Sequence, residues 1–475
     1  MIGIGTVFRR RAGSGGPLPP DYAKWVKEHM VFWYDMSKPV DVYAENFNNW
    51  TKFTGAKYTV TNKSVNITNF DAVNNACIYI AKSKKFNGIT ITVDGLLDGQ
   101  EIAWGYNNNP LVRMPKNGTY TLEPIDSVTG NIGFRSINIV GACNITITQL
   151  PSGQSVPTNE ILKANPYLQD HSGNNRPLKL NNFLFAAMSG VDGYNENFLS
   201  NKWLINQNKG TVKIESSSSF VIQAIKLEHV GIVYRYVDNE KVIIKCNITG
   251  ITEEIKGKFV FGYSDVTGIN NIILENGYFE FITSEHEGLA GWYGFKAMVP
   301  IDNCNIIVTQ IPEYPGALVT DGVDDYGVVE NLQHGVKVLF YTCNNFRLSQ
   351  MLYDQRKIGY DNIQSSYFSI FTGANTIAYN ARNVDGITYI DGELNESIIV
   401  DNLLKKKTII TIVNNSVDSE KTGRPSFFST YNNLGYFANL AFYNSIGFDS
   451  VPTKENDGFT EQDLIDYVLE NLITK

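Results

Sequence analysis

Carboxylates crowd one corner of this sequence. Asp321-Gly322-Val323-Asp324-Asp325, followed by Glu330, sets four acidic side chains within ten residues. Asp324 and Asp325 are candidate calcium ligands. Calcium takes six to eight oxygens, which these two, even joined by Asp391, supply only in part. The competing reading is turn chemistry, because Gly322 accepts φ > 0 and Asp321 can bond its own backbone. Ala317 and Val319 before the corner, and Tyr326 to Val329 after it, predict two strands that it joins. Acid–base hydrolysis of a glycoside needs two carboxylates facing each other across the scissile bond. No E-x-D-x-x-E run provides them on one strand.

Other chemistries fall away on spacing. Ser284-Glu-His-Glu287 begins like a zinc-protease helix, but the second histidine of H-E-x-x-H would fall at Ala290. Gly3-x-Gly5 lacks the third glycine and the βα unit of a dinucleotide site. No G-x-S-x-G elbow and no P-loop occurs, so the chain is expected not to be an enzyme. Sugar binding needs aromatic platforms and hydrogen-bonding amides or carboxylates. Trp50, Trp104, Trp203 and Trp292 are candidates for the first role, with burial in a core as the ordinary alternative.

Positioning any of these groups falls to strands. Tyr and Phe number 26 each against 7 Met in 475 residues, and runs such as Tyr58-Thr-Val-Thr and Ile89-Thr-Ile-Thr-Val alternate. That pattern predicts a predominantly β protein of several domains. Net charge is −8 with no basic stripe, which argues against nucleic acid. Arg9-Arg10-Arg11 is a solvated tail or a docking point for an acidic partner. Five scattered cysteines without C-x-x-C read as buried free thiols of a protein assembled in a reducing cytoplasm. No apolar run reaches the length of a membrane span. The N-terminal charges follow the apolar residues, the reverse of a signal peptide.

Residues 1–23 mix glycine and proline and are expected to be a flexible anchor that is either disordered or acquires structure by lying on a partner. A helix capped by Asp21, then the aromatic strand Met30–Asp35, should follow. From about 40 to 151, short strands such as 57–61, 77–81, 88–93 and 136–140 predict a β-sandwich. Its closing phrase, Cys143-Asn-Ile-Thr-Ile-Thr-Gln-Leu-Pro151, returns as Cys304-Asn-Ile-Ile-Val-Thr-Gln-Ile-Pro312, 161 positions on. Gly133-Phe134 and Gly294-Phe295 keep that offset, and Asn117-Gly118 matches Asn276-Gly277. Co-linear matches point to a duplicated module, residues 40–151 and 191–312. Between the copies, Thr158 caps a short helix and Asp170–Asn175 is a turn cluster. Beyond them, strands at 338–342, 367–371, 376–379, 408–413 and 436–443, a hairpin with Asp391-Gly392 at its corner, and a helix from the capping box Thr460–Asp463 are expected.

Three of these stretches, Met30–Asp35, Asp170-x-Ser-Gly-Asn174 and Asp321-Gly-x-Asp-Asp-Tyr326, resemble the strands of laminin-G-like (concanavalin-A-like) jelly rolls. The resemblance implies one jelly roll built from 24–39, 152–190 and 313–475, with each sandwich inserted in a surface connection, which loop-closure entropy permits at small cost. Three sandwiches in tandem is the alternative. The set of phrases as a whole, with Ala164-Asn-Pro-Tyr-Leu168 and Asn182 to Gly190, resembles virion fibre and decoration proteins of Bacteroides (crAss-like) phages and prophages. That resemblance implies a non-enzymatic head or tail-associated fibre. Residues 1–20 would anchor it to other virion proteins. A homo-oligomer, commonly a trimer, would display lectin-like domains to host cell-surface polysaccharide. A capsule-depolymerising glycoside hydrolase and a bacterial surface glycan-binding protein are the rival readings.

Overall fold

Strand Met30–Asp35 pairs with Ala441–Phe448, more than 400 residues away in sequence. This pairing organises the molecule. The computed structural model describes residues 21–473 apart from 74, 107–108, 228–231, 238–242, 264–271, 283–290, 333–334, 346–349, 357–368, 373–386, 395–405, 415–421 and 430–436. Expectations for residues 1–20, 284–287 and 376–379 lie outside these residues.

The chain is all-β. One antiparallel sheet runs Gly190–Val191, Leu318–Val319, Ala441–Phe448, Val338–Asn344, Thr408–Val413, Ile387–Ile390 and Glu393–Leu394, with Met30–Asp35 also on Ala441–Phe448. The facing sheet runs Tyr167–Leu168, Leu178–Asn181, Tyr326–Val329, Thr422–Phe427, Gln350–Arg356 and Ser369–Thr372. Phe32, Tyr34, Leu180, Val329, Tyr341, Leu352, Ile410 and Phe427 from both sheets form one buried core. All segments of this jelly-roll sandwich come from 30–35, 167–191 and 318–448.

The first sheet is buried on both faces. Helices Tyr22–His29 and Glu461–Asn471 cover its outer side through Trp25, Val26, Leu464, Ile465 and Val468, packed on Val338, Phe340 and Val413. Thr408–Val413 is therefore buried at every position, whereas Ile89–Asp94 of the first module alternates between buried and less buried positions. Thr460 Oγ1 accepts from Asp463 N–H, and the Asp463 carboxylate accepts from Thr460 N–H at 2.7 Å. Thr460→Ala is expected to lower stability by about 1 kcal/mol, read as a lower midpoint in urea unfolding.

Strands between 51 and 149 form two five-stranded sheets, and strands between 203 and 310 form two more. Their orders coincide. Ala56–Val60, Ser64–Phe70, Gly141–Gln149, Ile89–Asp94 and Gly118–Leu122 answer to Gly210–Ser216, Ser219–Ile225, Ile306–Gln310, Ile243–Thr249 and Gly277–Ile282. Local contacts repeat as well. The Asn117 amide bonds both N–H and C=O of Leu96, as Asn276 does with Ile251. Trp50 donates its indole N–H to Glu45, and Trp203 donates to Glu196. Glu45-Asn46-Phe47…Trp50 and Glu196-Asn197-Phe198…Trp203 are thus a further repeat, masked in the sequence by two residues inserted between Phe198 and Trp203. Strand Val40–Val42 pairs with Gly153–Ser155 where the chain enters and leaves the first module.

Two strands fall elsewhere than predicted. Ile137–Val140 is a turn, since Ser136 Oγ donates to Ile139 C=O and accepts from Ile139 N–H, so the strand is Ile132–Ser136. The strand expected at 436–443 is Ala441–Phe448. Thr320, Gln350 and Phe428 take the backbone groups of residues 438–440 that a ladder would need.

Candidate functional site

The aspartate corner lies between the two jelly-roll sheets, because Leu318–Val319 belongs to one and Tyr326–Val329 to the other. Asp325 is fully buried, at 0% exposure. Its Oδ1 accepts from Ser189 Oγ at 3.0 Å and its Oδ2 from Asp321 N–H at 3.0 Å. Asp321 Oδ1 accepts from Val323 N–H, closing the Asx turn, and Asn182 donates to the Asp324 carbonyl. Burial pushes the Asp325 carboxyl up to about 7. The charges of Asp321 and Asp324 push the same way, against the pull of the two donors.

Asp321, Asp324 and Asp325 bring carboxylate oxygens within 4.8 Å of one another. Asp391 does not join them. It turns its own hairpin at φ +52°, accepting from Ile409 N–H and Lys406 Nζ. Three carboxylates fall short of a calcium shell, and both oxygens of the buried one already accept bonds from protein donors. The corner works as a staple that ties the 182–191 segment to the second jelly-roll sheet.

Three of the four candidate tryptophans do not make platforms. Trp50, Trp104 and Trp203 are 6%, 1% and 5% exposed and sit in the module cores. The side chain of Trp292 lies outside the described residues.

A groove does open elsewhere, at the junction of the first module and the jelly roll. Its main lobe has a volume of about 370 Å³, and a second lobe of about 280 Å³ shares Asp41, Tyr43, Asn62 and Asn165 with it. One wall is the module's entry strand and the turn after Val60. The other is the 165–177 segment, built around Asp170, whose carboxylate accepts from the N–H groups of Trp33, Ser172 and Arg176. The motif Asp170-x-Ser-Gly-Asn174 thus fastens this wall to the first strand, with Asn174 donating to Met30 C=O. Asn165 caps the helix Asn159–Ala164, and Asn62 Nδ2 donates to Asn165 Oδ1 at 2.6 Å, bridging the walls.

Three amides here are each oriented by one end. Asn62 uses its Nδ2, Asn165 its Oδ1, and Gln169 its Oε1, which accepts from Asp41 N–H. Asn62 Oδ1, Asn165 Nδ2 and Gln169 Nε2 are left without a protein partner among the described residues. Two tyrosine rings, Tyr43 and Tyr167, line the same lobe. Lys63 Nζ sits 5.6 Å above the Tyr43 ring. Burial, then the Asp41 charge, pushes the Tyr43 hydroxyl up to about 12, and burial followed by Glu330 raises Tyr167. Sequence reading missed this set because its members lie on segments far apart in the chain, each of ordinary composition.

No protein-family model matches the chain, and no curated protein matches it. Among solved structures, it is similar to a chain from the triple jelly roll turret assembly of an archaeal virus. That match has 9% identity over 88% of this chain and 91% of that one, with a TM-score of 0.11. It is also similar to the GH31 alpha-xylosidase of Xanthomonas citri, with 10% identity over 87% of this chain and 38% of that one and a TM-score of 0.09. At these TM-scores neither likeness carries an argument about function.

Proposed function

We propose that this protein is a non-enzymatic virion fibre or decoration protein. Residues 1–20 anchor it to other virion proteins, and the assembled homo-oligomer, a trimer, attaches through its β domains to host cell-surface polysaccharide. The observation that carries the binding role is the groove, where three oriented amides, Asn62, Asn165 and Gln169, stand beside two tyrosines with one end of each unbonded among the described residues. Such a lining suits a polyhydroxylated ligand. The viral placement rests on the resemblance of the chain's phrases to phage fibre proteins. No helix among the described residues is long and apolar enough to cross a membrane.

The depolymerase alternative makes a different demand. Incubation with polysaccharide from Bacteroides cells is expected to give retention on the polymer with no release of reducing ends. Release that is abolished by Asp324→Asn or Asp325→Asn would sink the non-enzymatic reading. Deleting residues 1–20 should leave a folded protein that purified particles no longer contain, as judged by immunoelectron microscopy.

A further inference from the structure

We infer that the junction groove takes a neutral oligosaccharide chain that spans both lobes across the Asn62–Asn165 bridge. This rests on the attachment role proposed above and narrows it to one site and one ligand class. Together the lobes, about 370 and 280 Å³, fall in the size range of small-molecule sites and adjoin at Asp41, Tyr43, Asn62 and Asn165 as two spaces rather than one deep hole. A chain of sugar units fits that shape.

The lining decides the chemistry. Neutral hydroxyls both donate and accept, and the groove offers both partners: an acceptor at Asn62 Oδ1 and donors at Asn165 Nδ2 and Gln169 Nε2. Because the other end of each amide is already bonded, these atoms are held in place before a ligand arrives, so little side-chain entropy is lost on binding. Tyr43 and Tyr167 supply apolar ring faces for C–H surfaces.

Charge selects against acidic sugars. Asp41 and Glu330 face a single cation, Lys63, in the main lobe, and Asp170 is bound up by three backbone donors. In the second lobe Glu45 accepts from Asn87 and from the Trp50 indole. A uronic-acid or phosphate group would enter a site already rich in carboxylate. A peptide is served less well, for the edge strands that line the groove, Val40–Val42 and Tyr167–Leu168, are only three and two residues long and offer few backbone pairs.

The test is a calorimetric titration of the full chain with short neutral mannan, glucan and galactan fragments, and with polygalacturonate fragments of equal length. At least one neutral fragment should bind. Tyr43→Ala should weaken it about tenfold or more, while Tyr43→Phe, which keeps the ring, and Asp324→Asn, at a residue that does not line the groove, stay close to wild type. Unchanged binding in a folded Tyr43→Ala protein would overturn the groove assignment and leave the attachment role standing. Tighter binding of polygalacturonate would overturn the neutral-ligand assignment, as would binding of peptides alone. Failure of every polysaccharide, host capsule included, would overturn the attachment role with it.

Discussion

Gly95→Ala is expected to unfold the first inserted module and leave the second intact, and Gly250→Ala to do the reverse. Gly95 has φ +87° and Gly250 has φ +86°. A Cβ at either position would lie 1.9 Å from a backbone carbonyl oxygen, that of Asn144 or Asn305 respectively. Asn144 lies within the closing strand Gly141–Gln149 and Asn305 directly precedes Ile306–Gln310, so relief would require shifting a central ladder. Left-handed strain and a backbone clash together cost about 3–5 kcal/mol, a large part of what a module of this size has. The two copies provide an internal control. Each closes its ladders on itself, with no strand shared between them. Limited proteolysis followed by mass mapping should show cuts confined to 51–149 in the first variant and to 203–310 in the second. Cuts in both modules from a single substitution would show that they fold as one cooperative unit.

These glycines also show what the sequence could disclose. The duplication was legible because strand-closing phrases, Asn-Gly turns and Gly-Phe pairs recur in order, and each has a geometric job that tolerates few residue types. Gly133 and Gly294 illustrate this: a Cβ on either would sit 2.2 Å from the C=O of Ile78 or Val233 on the neighbouring strand. The all-β class was legible from alternation in the modules, and the last helix from its capping box. Strand ends were read less well wherever a side chain competes for the ladder, as Ser136 and Thr320 do. The site was read least well. The acidic corner stands out in the sequence because its residues are adjacent, yet its buried member is spent on Ser189 and the Asp321 amide. The groove is assembled by tertiary contact between residues 41–63, 165–177 and 330, and no local pattern encodes that. Trp50 and Trp203 have the ring type of a sugar platform, but an indole with a partner such as Glu45 or Glu196 is stabilised inside a sandwich, and the half-buried Tyr43 and Tyr167 line the groove.

Asp325 gives the protein a pH response whose sign separates the two readings of the corner. In the unfolded chain an aspartate titrates near 3.9; in the folded protein burial holds this one up to about 7. Between those values the folded state binds more protons than the unfolded state, so stability is greatest at the acid end of the window and falls as pH rises from about 4 to about 7. Three pH units set an upper bound of about 4 kcal/mol on the change. Asp325→Asn removes the titration and keeps the contacts, because its Oδ1 can accept from Asp321 N–H while its Nδ2 donates to Ser189 Oγ. Its thermal midpoint, measured against wild type from pH 4 to 8, should gain on the wild type as pH rises. Asp325→Ala leaves the Asp321 amide and the Ser189 hydroxyl without their partner, and should lose about 2–4 kcal/mol at pH 4, a deficit that shrinks as pH rises because this variant too lacks the titrating carboxyl. A calcium bound by Asp321, Asp324 and Asp325 would invert the slope, since a metal ligand must be ionised and its pKa falls below the unfolded value. The wild-type midpoint in excess calcium would then rise with pH and exceed that in chelator. Equal midpoints, with the same downward slope in both, are expected of a corner whose buried carboxyl serves as a staple.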